Sequence, residues 1–202
     1  MSKVDSPYFI KASTIILMHK LKIMKINLIE KMQDPCYHKN MELWDAYNSN
    51  FEKIEGVTLI REKEDEIPDG LYHLVCHILV KHTDGTYLLM KRDPNKPAWP
   101  GFWEATAGGS VLQGESALEG SLRELREETG IVAESLKELD RSLGKTCLHY
   151  RYLCVTDCAK DSIKLQEGET CDYRWISARE LLDMPESELL GGQMKKYINT
   201  EE

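Results

Sequence analysis

Residues 109–131 read GSVLQGESALEGSLRELREETGI. Ser116 with Glu119 three residues on is a capping-box signature, so a helix begins after Ser116. Gly130 ends it, because glycine adopts the left-handed conformation of a helix stop without steric cost. Leu118, Leu122 and Leu125 recur at helical spacing and are expected to bury against a sheet. Glu124, Glu127 and Glu128 stand at i, i+3 and i+4 and share one helix face. Ala117 and Gly120 fall on the carboxylate side, where small residues leave room for a packed loop or for phosphates. Three like charges on one face repel, and clustered hard oxygens suit Mg²⁺ or Mn²⁺. An acidic run more often marks a solvated helix face. Here it follows a Gly108-Gly109 strand end at a set distance, which favours a site.

Outward from this helix the pattern alternates strands and helices. Leu43 to Tyr47 reads as a short strand, and Val57 to Glu66 is charged and ambiguous. Pro68-Asp69-Gly70 is a turn, since proline presets φ and glycine accepts a positive one. Tyr72 to His82 and Thr86 to Lys91 read as strands joined by a hairpin turn at Thr83-Asp84-Gly85. Asp93 to Pro97 is a loop, and Phe102 to Ala107 is another short strand. Ser142 to Thr156 fits two strands with a turn near Gly144, and Cys171 to Ile176 fits one more. Ser177 caps a helix over Ala178 to Asp183, and a final helix is expected over Ser187 to Tyr197. This mixture predicts an α/β (α+β) sandwich with a mixed sheet.

The chain has 202 residues and a formal charge of −8, with 42% hydrophobic and 30% charged residues. That balance is ordinary for a globular domain. It argues against a nucleic-acid polymer as partner, which requires a basic face. An acidic protein still handles phosphates where bound metal inverts the local charge. None of the six cysteines forms a C-x-x-C pair, and reduced thiols in a cytoplasmic protein are expected. Residues 1–40 hold seven lysines against three acids, a net of +4, which leaves −12 for the remainder. We expect a basic, poorly ordered extension over 1–40 and a domain over 41–202. The apolar run Phe9 to Met18 is too short to span a bilayer, so no stable membrane insertion is expected. An amphipathic basic helix over Ile10 to Met32 able to touch a membrane surface, and a natural start at Met41, are further readings of this segment.

Residues 109–131 resemble the Nudix box, G-x5-E-x7-R-E-U-x-E-E-x-G-U with U aliphatic. Every fixed position matches: Gly109, Glu115, Arg123, Glu124, Glu127, Glu128 and Gly130. Seven such matches coincide by chance on the order of once in 10⁸ starting points. The resemblance implies a Nudix-type α/β/α sandwich and a Mg²⁺-dependent hydrolase, with Mn²⁺ as substitute. Its substrate would be a small-molecule diphosphate, nucleoside-linked or related. It implies metal ligation by Glu124, Glu127 and Glu128 with the Gly109 carbonyl, and catalytic roles for Glu124 and Glu127. Glu124 would be the base or an additional ligand. Arg123, Glu115 and Gly130 would be structural, Arg123 orienting a glutamate. Relatives place the base variously, so Glu167 and Glu169 are also candidates. Many relatives pair, so a homodimer is an open expectation.

The flanks, including Lys96-Pro97-Ala98-Trp99-Pro100-Gly101-Phe102-Trp103, look like the isopentenyl-diphosphate isomerase branch of the superfamily. Those isomerases need a cysteine just before the box glycine and a histidine just after it. Here Gly108 and Ser110 stand there, which favours hydrolysis. A non-catalytic nucleotide sensor is the other alternative, against which the intact glutamates argue. Arg92 is a candidate to grip phosphates bidentately, or a strand-end charge in water. Trp103 and Trp99 are candidates to stack on a base, with core packing expected for at least one. His73 and His77 share a strand face, and a structural role is favoured over a metal pair.

Overall fold

A computed structural model describes residues 42–198. The readings placed on residues 1–40 lie outside the described residues. β1 (Leu43–Tyr47) and β2 (Lys53–Ile60) form a two-stranded antiparallel sheet, followed by a 3₁₀ segment over Arg61–Glu66. The main sheet is built from β3 (His73–His82), β4 (Tyr87–Arg92), β5 (Trp103–Glu104), β6 (Thr106–Ala107), β7 (Lys137–Leu143), β8 (Cys147–Thr156), β9 (Thr170–Ile176) and β10 (Leu189–Leu190). Its path runs β10-β5-β4-β3-β8-β7, with β6 also on β3 and β9 also on β4. The β3–β8 and β10–β5 pairs are parallel and the others antiparallel, so the sheet is mixed as expected.

Strand alternation sorts side chains between two cores. Leu74, Cys76, Ile78 and Val80 of β3, with Leu88 and Met90 of β4, pack beneath α1 (Ala117–Thr129) through Leu125. Leu79, Tyr87 and Leu89 point the other way. They meet Leu181 of α2 (Ala178–Asp183) and Met194 of a 3₁₀ segment over Gly192–Tyr197. Both sheet faces are therefore covered, which gives the α/β/α layering and explains why Leu74 to Val80 is almost unbroken in apolar character. A third cluster of Trp44, Ala46, Leu59 and Leu71 fastens the β1–β2 hairpin to this body.

Three expectations need correction. The helix foreseen over Ser187–Tyr197 is instead the short strand β10 and a 3₁₀ segment. Gly191 between them is left-handed at φ 75°, which no continuing α-helix accommodates. β7 starts at Lys137, before the foreseen Ser142. It is the edge strand, mostly solvated, so its sequence carries no apolar run. On α1, Leu125 is fully buried but Leu118 is 37% exposed and Leu122 only partly covered. Gly120, Ser121, Leu125 and Thr129 form the buried stripe. Glu124 and Glu128, also partly buried, border it, so the helix turns part of its charged face inward.

Candidate active site

The start of α1 follows its sequence signals. The Ser116 hydroxyl accepts the Glu119 N–H, the Glu119 side chain accepts the Ser116 N–H, and Gly130 closes the helix at φ 75°. Gly120 allows the loop before the helix to lie close: a Cβ there would sit 3.0 Å from the Val111 side chain.

Arg123 is the hub of the box. Its Nε and Nη2 donate to the two carboxylate oxygens of Glu115 at 2.8 and 2.9 Å, a bidentate fork. Glu115 also accepts the Leu112 N–H at 2.9 Å. Arg123 Nη1 donates to Glu124 Oε1 at 2.7 Å and to Glu127 Oε2 at 3.2 Å, and Nη2 reaches the Ser110 carbonyl at 3.1 Å. One guanidinium therefore ties the loop 110–115 to the helix and aims two of its three acids.

The three acids differ in setting. Glu124 lies against the bare Cα of Gly109, where a Cβ would come 2.8 Å from its carboxyl carbon. Glu128 accepts the Gly108 N–H at 2.9 Å. Glu127 is the exposed member and accepts from Arg123 Nη1. Burial raises the pKa of Glu124 and carries that of Glu128 to about 8, opposed at Glu128 by the Gly108 N–H. The Gly109 carbonyl accepts the Cys76 N–H at 2.9 Å and the Cys76 thiol at 3.4 Å.

A fourth acid joins them. Glu104 of β5 is also partly buried and raised, and it and Glu124 both push Glu128 upward by charge repulsion. Spacing rules pass over Glu104, since a lone acid on a two-residue strand carries no pattern. The only sequence hint was its place five residues before Gly109. Lys96, likewise missed in its loop, is depressed by burial and by Arg92, and pairs with Glu169.

The remaining candidates are placed as follows. Arg92 donates Nη1 to Glu104 at 3.0 Å, and Nε and Nη2 to the Ala98 carbonyl at 3.3 and 3.0 Å, so its fork serves internal partners. Lys91 and Arg174 both lie over the Trp103 ring, at 5.4 and 4.2 Å from its centre. Glu167 lies in an exposed turn. His73 stacks on Trp44 at 3.9 Å, while His77 meets His149 across β8 at 2.9 Å.

Among the described residues, no three His, Cys, Asp or Glu side chains stand as a ready-made metal cage. The donor chemistry nonetheless fits a hard divalent ion. Glu104, Glu124 and Glu128 are carboxylates massed at low dielectric, with Glu124 seated where glycine leaves space.

The NUDIX domain family matches residues 71–196. The chain belongs to that family. A Nudix hydrolase of Listeria monocytogenes is 33% identical over 147 residues, covering 70% of this chain and 83% of the relative. The nucleoside triphosphatase NudI of Escherichia coli is 30% identical over 122 residues, covering 54% and 84%. The crystal structure of DR0079 from Deinococcus radiodurans superposes with a TM-score of 0.61 at 19% identity, covering 78% and 97%, which speaks to the fold. The chain is thus a Nudix hydrolase, an enzyme acting on diphosphate linkages of small molecules, in a family that uses divalent metal ions. Among the described residues, no helix is long and apolar enough to cross a membrane.

Proposed function

We propose that this Nudix hydrolase cleaves the diphosphate linkage of a nucleoside-linked or related small organic substrate with Mg²⁺, Mn²⁺ serving as substitute. The observation that carries the reading is the massing of Glu104, Glu124 and Glu128 near Gly108-Gly109, with Glu124 held by Arg123, Glu104 by Arg92 and Glu128 by the Gly108 N–H. Glu128 is the principal metal ligand, with Glu127 able to swing in from solvent and Glu124 the base or an additional ligand. The Gly109 carbonyl retains a ligand role only where a lone pair stays clear of Cys76. A divalent ion there would offset phosphate charge and lower the pKa of a bound water.

Glu124, held by Arg123 at 2.7 Å and raised in pKa by burial, is suited to take the proton of an attacking water. Glu127 on the same guanidinium shares that candidacy. Isomerisation is the weaker reading: a Cβ at Gly108 would collide with the Cys76 carbonyl, so the position that would need a proton-donating side chain is closed. The relative named as a nucleoside triphosphatase puts nucleotides first among substrates to try.

The test is a panel of nucleoside di- and triphosphates, dinucleotides, sugar nucleotides and prenyl diphosphates, with and without Mg²⁺, with products identified. Glu128→Gln should lower turnover by at least about a hundredfold with the fold intact. Near-native turnover of that variant, or metal-independent cleavage, would overturn the assignment.

A further inference from the structure

We propose that Asp45, on the hairpin that precedes the family match, is a positioning residue of the active site: it clamps the loop of the Nudix box and thereby fixes the aim of the acids on α1. The inference rests on the metal-binding reading of those acids and adds what holds them in place.

The hairpin β1–β2 ends at Ile60, before the residues 71–196 that match the family. It nevertheless touches the box loop at three consecutive residues. Leu112 packs against the third cluster, which the hairpin supplies with Trp44, Ala46 and Leu59. The Gln113 N–H donates to the Leu43 carbonyl at 2.8 Å, and the Gln113 side chain donates to the Thr58 hydroxyl at 2.8 Å. Gly114 donates its N–H to Asp45 Oδ2 at 2.9 Å.

A carboxylate at this place needs a reason. Trp44 and Ala46, its neighbours along β1, are fully buried, and Asp45 itself is only 6% exposed. Burying a charge costs desolvation, and pairing it with a cation contributes little net stability. Its partner Lys53, at 2.7 Å, reaches it from a more exposed position. What a carboxylate does supply is a charge-assisted acceptor of fixed direction. Gly114 needs one. It has φ 86°, and among the described residues nothing would lie within 4 Å of a Cβ there, so its hydrogen bond fixes this turn where packing does not.

The consequence reaches the acids in few steps. Glu115 follows Gly114 and takes the fork of Arg123 at 2.8 and 2.9 Å. Arg123 in turn donates to Glu124 at 2.7 Å and to Glu127 at 3.2 Å. From Asp45 through Gly114, Glu115 and Arg123 to Glu124, every link is a hydrogen bond or a peptide bond. Groups that orient metal ligands from behind set affinity by roughly tenfold to a hundredfold.

The experiment uses the full chain, Mn²⁺ alone as probe with free Mn²⁺ followed by electron paramagnetic resonance, and amide hydrogen exchange over residues 110–115 without metal. Asp45→Ala should raise the Mn²⁺ dissociation constant at least roughly tenfold and quicken exchange in that loop. Asp45→Val, which fills the space without an acceptor, serves if the alanine variant does not fold. Asp45→Asn keeps an oxygen for the Gly114 N–H and should restore most of both readings. Lys53→Met removes only the ion pair and should leave both as in the native chain. Native exchange in Asp45→Ala, quickened exchange with native Mn²⁺ affinity, or a Lys53→Met variant as impaired as Asp45→Ala overturns the proposal. The metal reading fails separately. Should the native chain bind no Mn²⁺, that reading falls, and exchange at 110–115 alone decides the clamp: upheld if it quickens in Asp45→Ala and recovers in Asp45→Asn, overturned otherwise.

Discussion

An alanine at position 109 would carry its Cβ within 2.8 Å of the Glu124 carboxyl carbon and within 3.0 Å of both carboxylate oxygens. Side chains do not tolerate that approach, so Glu124 must leave its seat and its 2.7 Å bond to Arg123. A reacting group displaced by about 1 Å loses on the order of a hundredfold in rate. We therefore expect Gly109→Ala to melt close to the native protein but to lose turnover by roughly tenfold to a hundredfold in steady-state assays. Native-like turnover would show that the seat is not needed. Arg123→Lys keeps one charge but cannot fork onto Glu115 while holding Glu124 and Glu127. Its expected signature is a higher Mg²⁺ requirement together with lower turnover, read from metal titrations. At this scale the box residues were legible because their chemistry repeats at helical spacing. Glu104 and Lys96 were not, since each reaches the site from a separate segment only once β4 and β5 are paired.

The helix α1 carries the acids, and its first turn is secured by the reciprocal Ser116–Glu119 bonds. Ser116→Ala leaves the Glu119 N–H without its acceptor, at a cost of about 1 kcal/mol. For a domain of this size that corresponds to a drop in Tm of roughly 2–4 °C, checked by differential scanning calorimetry. An unchanged Tm would mean that packing of Leu125 and Thr129 alone sets the helix start. Capping signals are local, which is why both α1 and α2 were placed from sequence, the latter through the same motif at Ser177 and Glu180. Faces are less local. The leucine spacing pointed to a stripe of Leu118, Leu122 and Leu125, yet the sheet sits under Gly120, Ser121, Leu125 and Thr129. Glycine stands at 120 because the Val111 side chain approaches too closely for a larger residue there.

Across the whole molecule, burying like-charged carboxylates makes stability depend on pH and on metal. Glu128 has a folded pKa of about 8 against an ordinary value of 4.5. Below about pH 4.5 it is protonated in folded and unfolded chains alike, and its burial carries no ionisation penalty. Between 4.5 and about 8 the unfolded chain binds fewer protons, so this group's contribution is lost as pH rises through the folded pKa. Glu104 and Glu124 are raised too and act in the same direction. We expect the Tm measured in chelator to fall over that window, Glu128→Gln to flatten the fall, and saturating Mg²⁺ to raise Tm most at the alkaline end, where ligands are deprotonated. A Tm in chelator that climbs from pH 5 to 8 in proportion to Glu128, lost in the Gln variant, would contradict the buried setting.

The amino-acid sequence alone determined the box helix and its caps, the strand periodicity that yields two covered sheet faces, and the three glutamates on one turn and a half. Each is dictated by neighbours within about four residues along the chain. Tertiary structure decided which of those acids are desolvated, that Glu104 stands among them, that Arg92 is turned to Glu104 and Ala98, and that Trp99, not Trp103, faces solvent. Burial and long-range charge depend on segments far apart in sequence meeting in space, and no local spacing encodes that meeting.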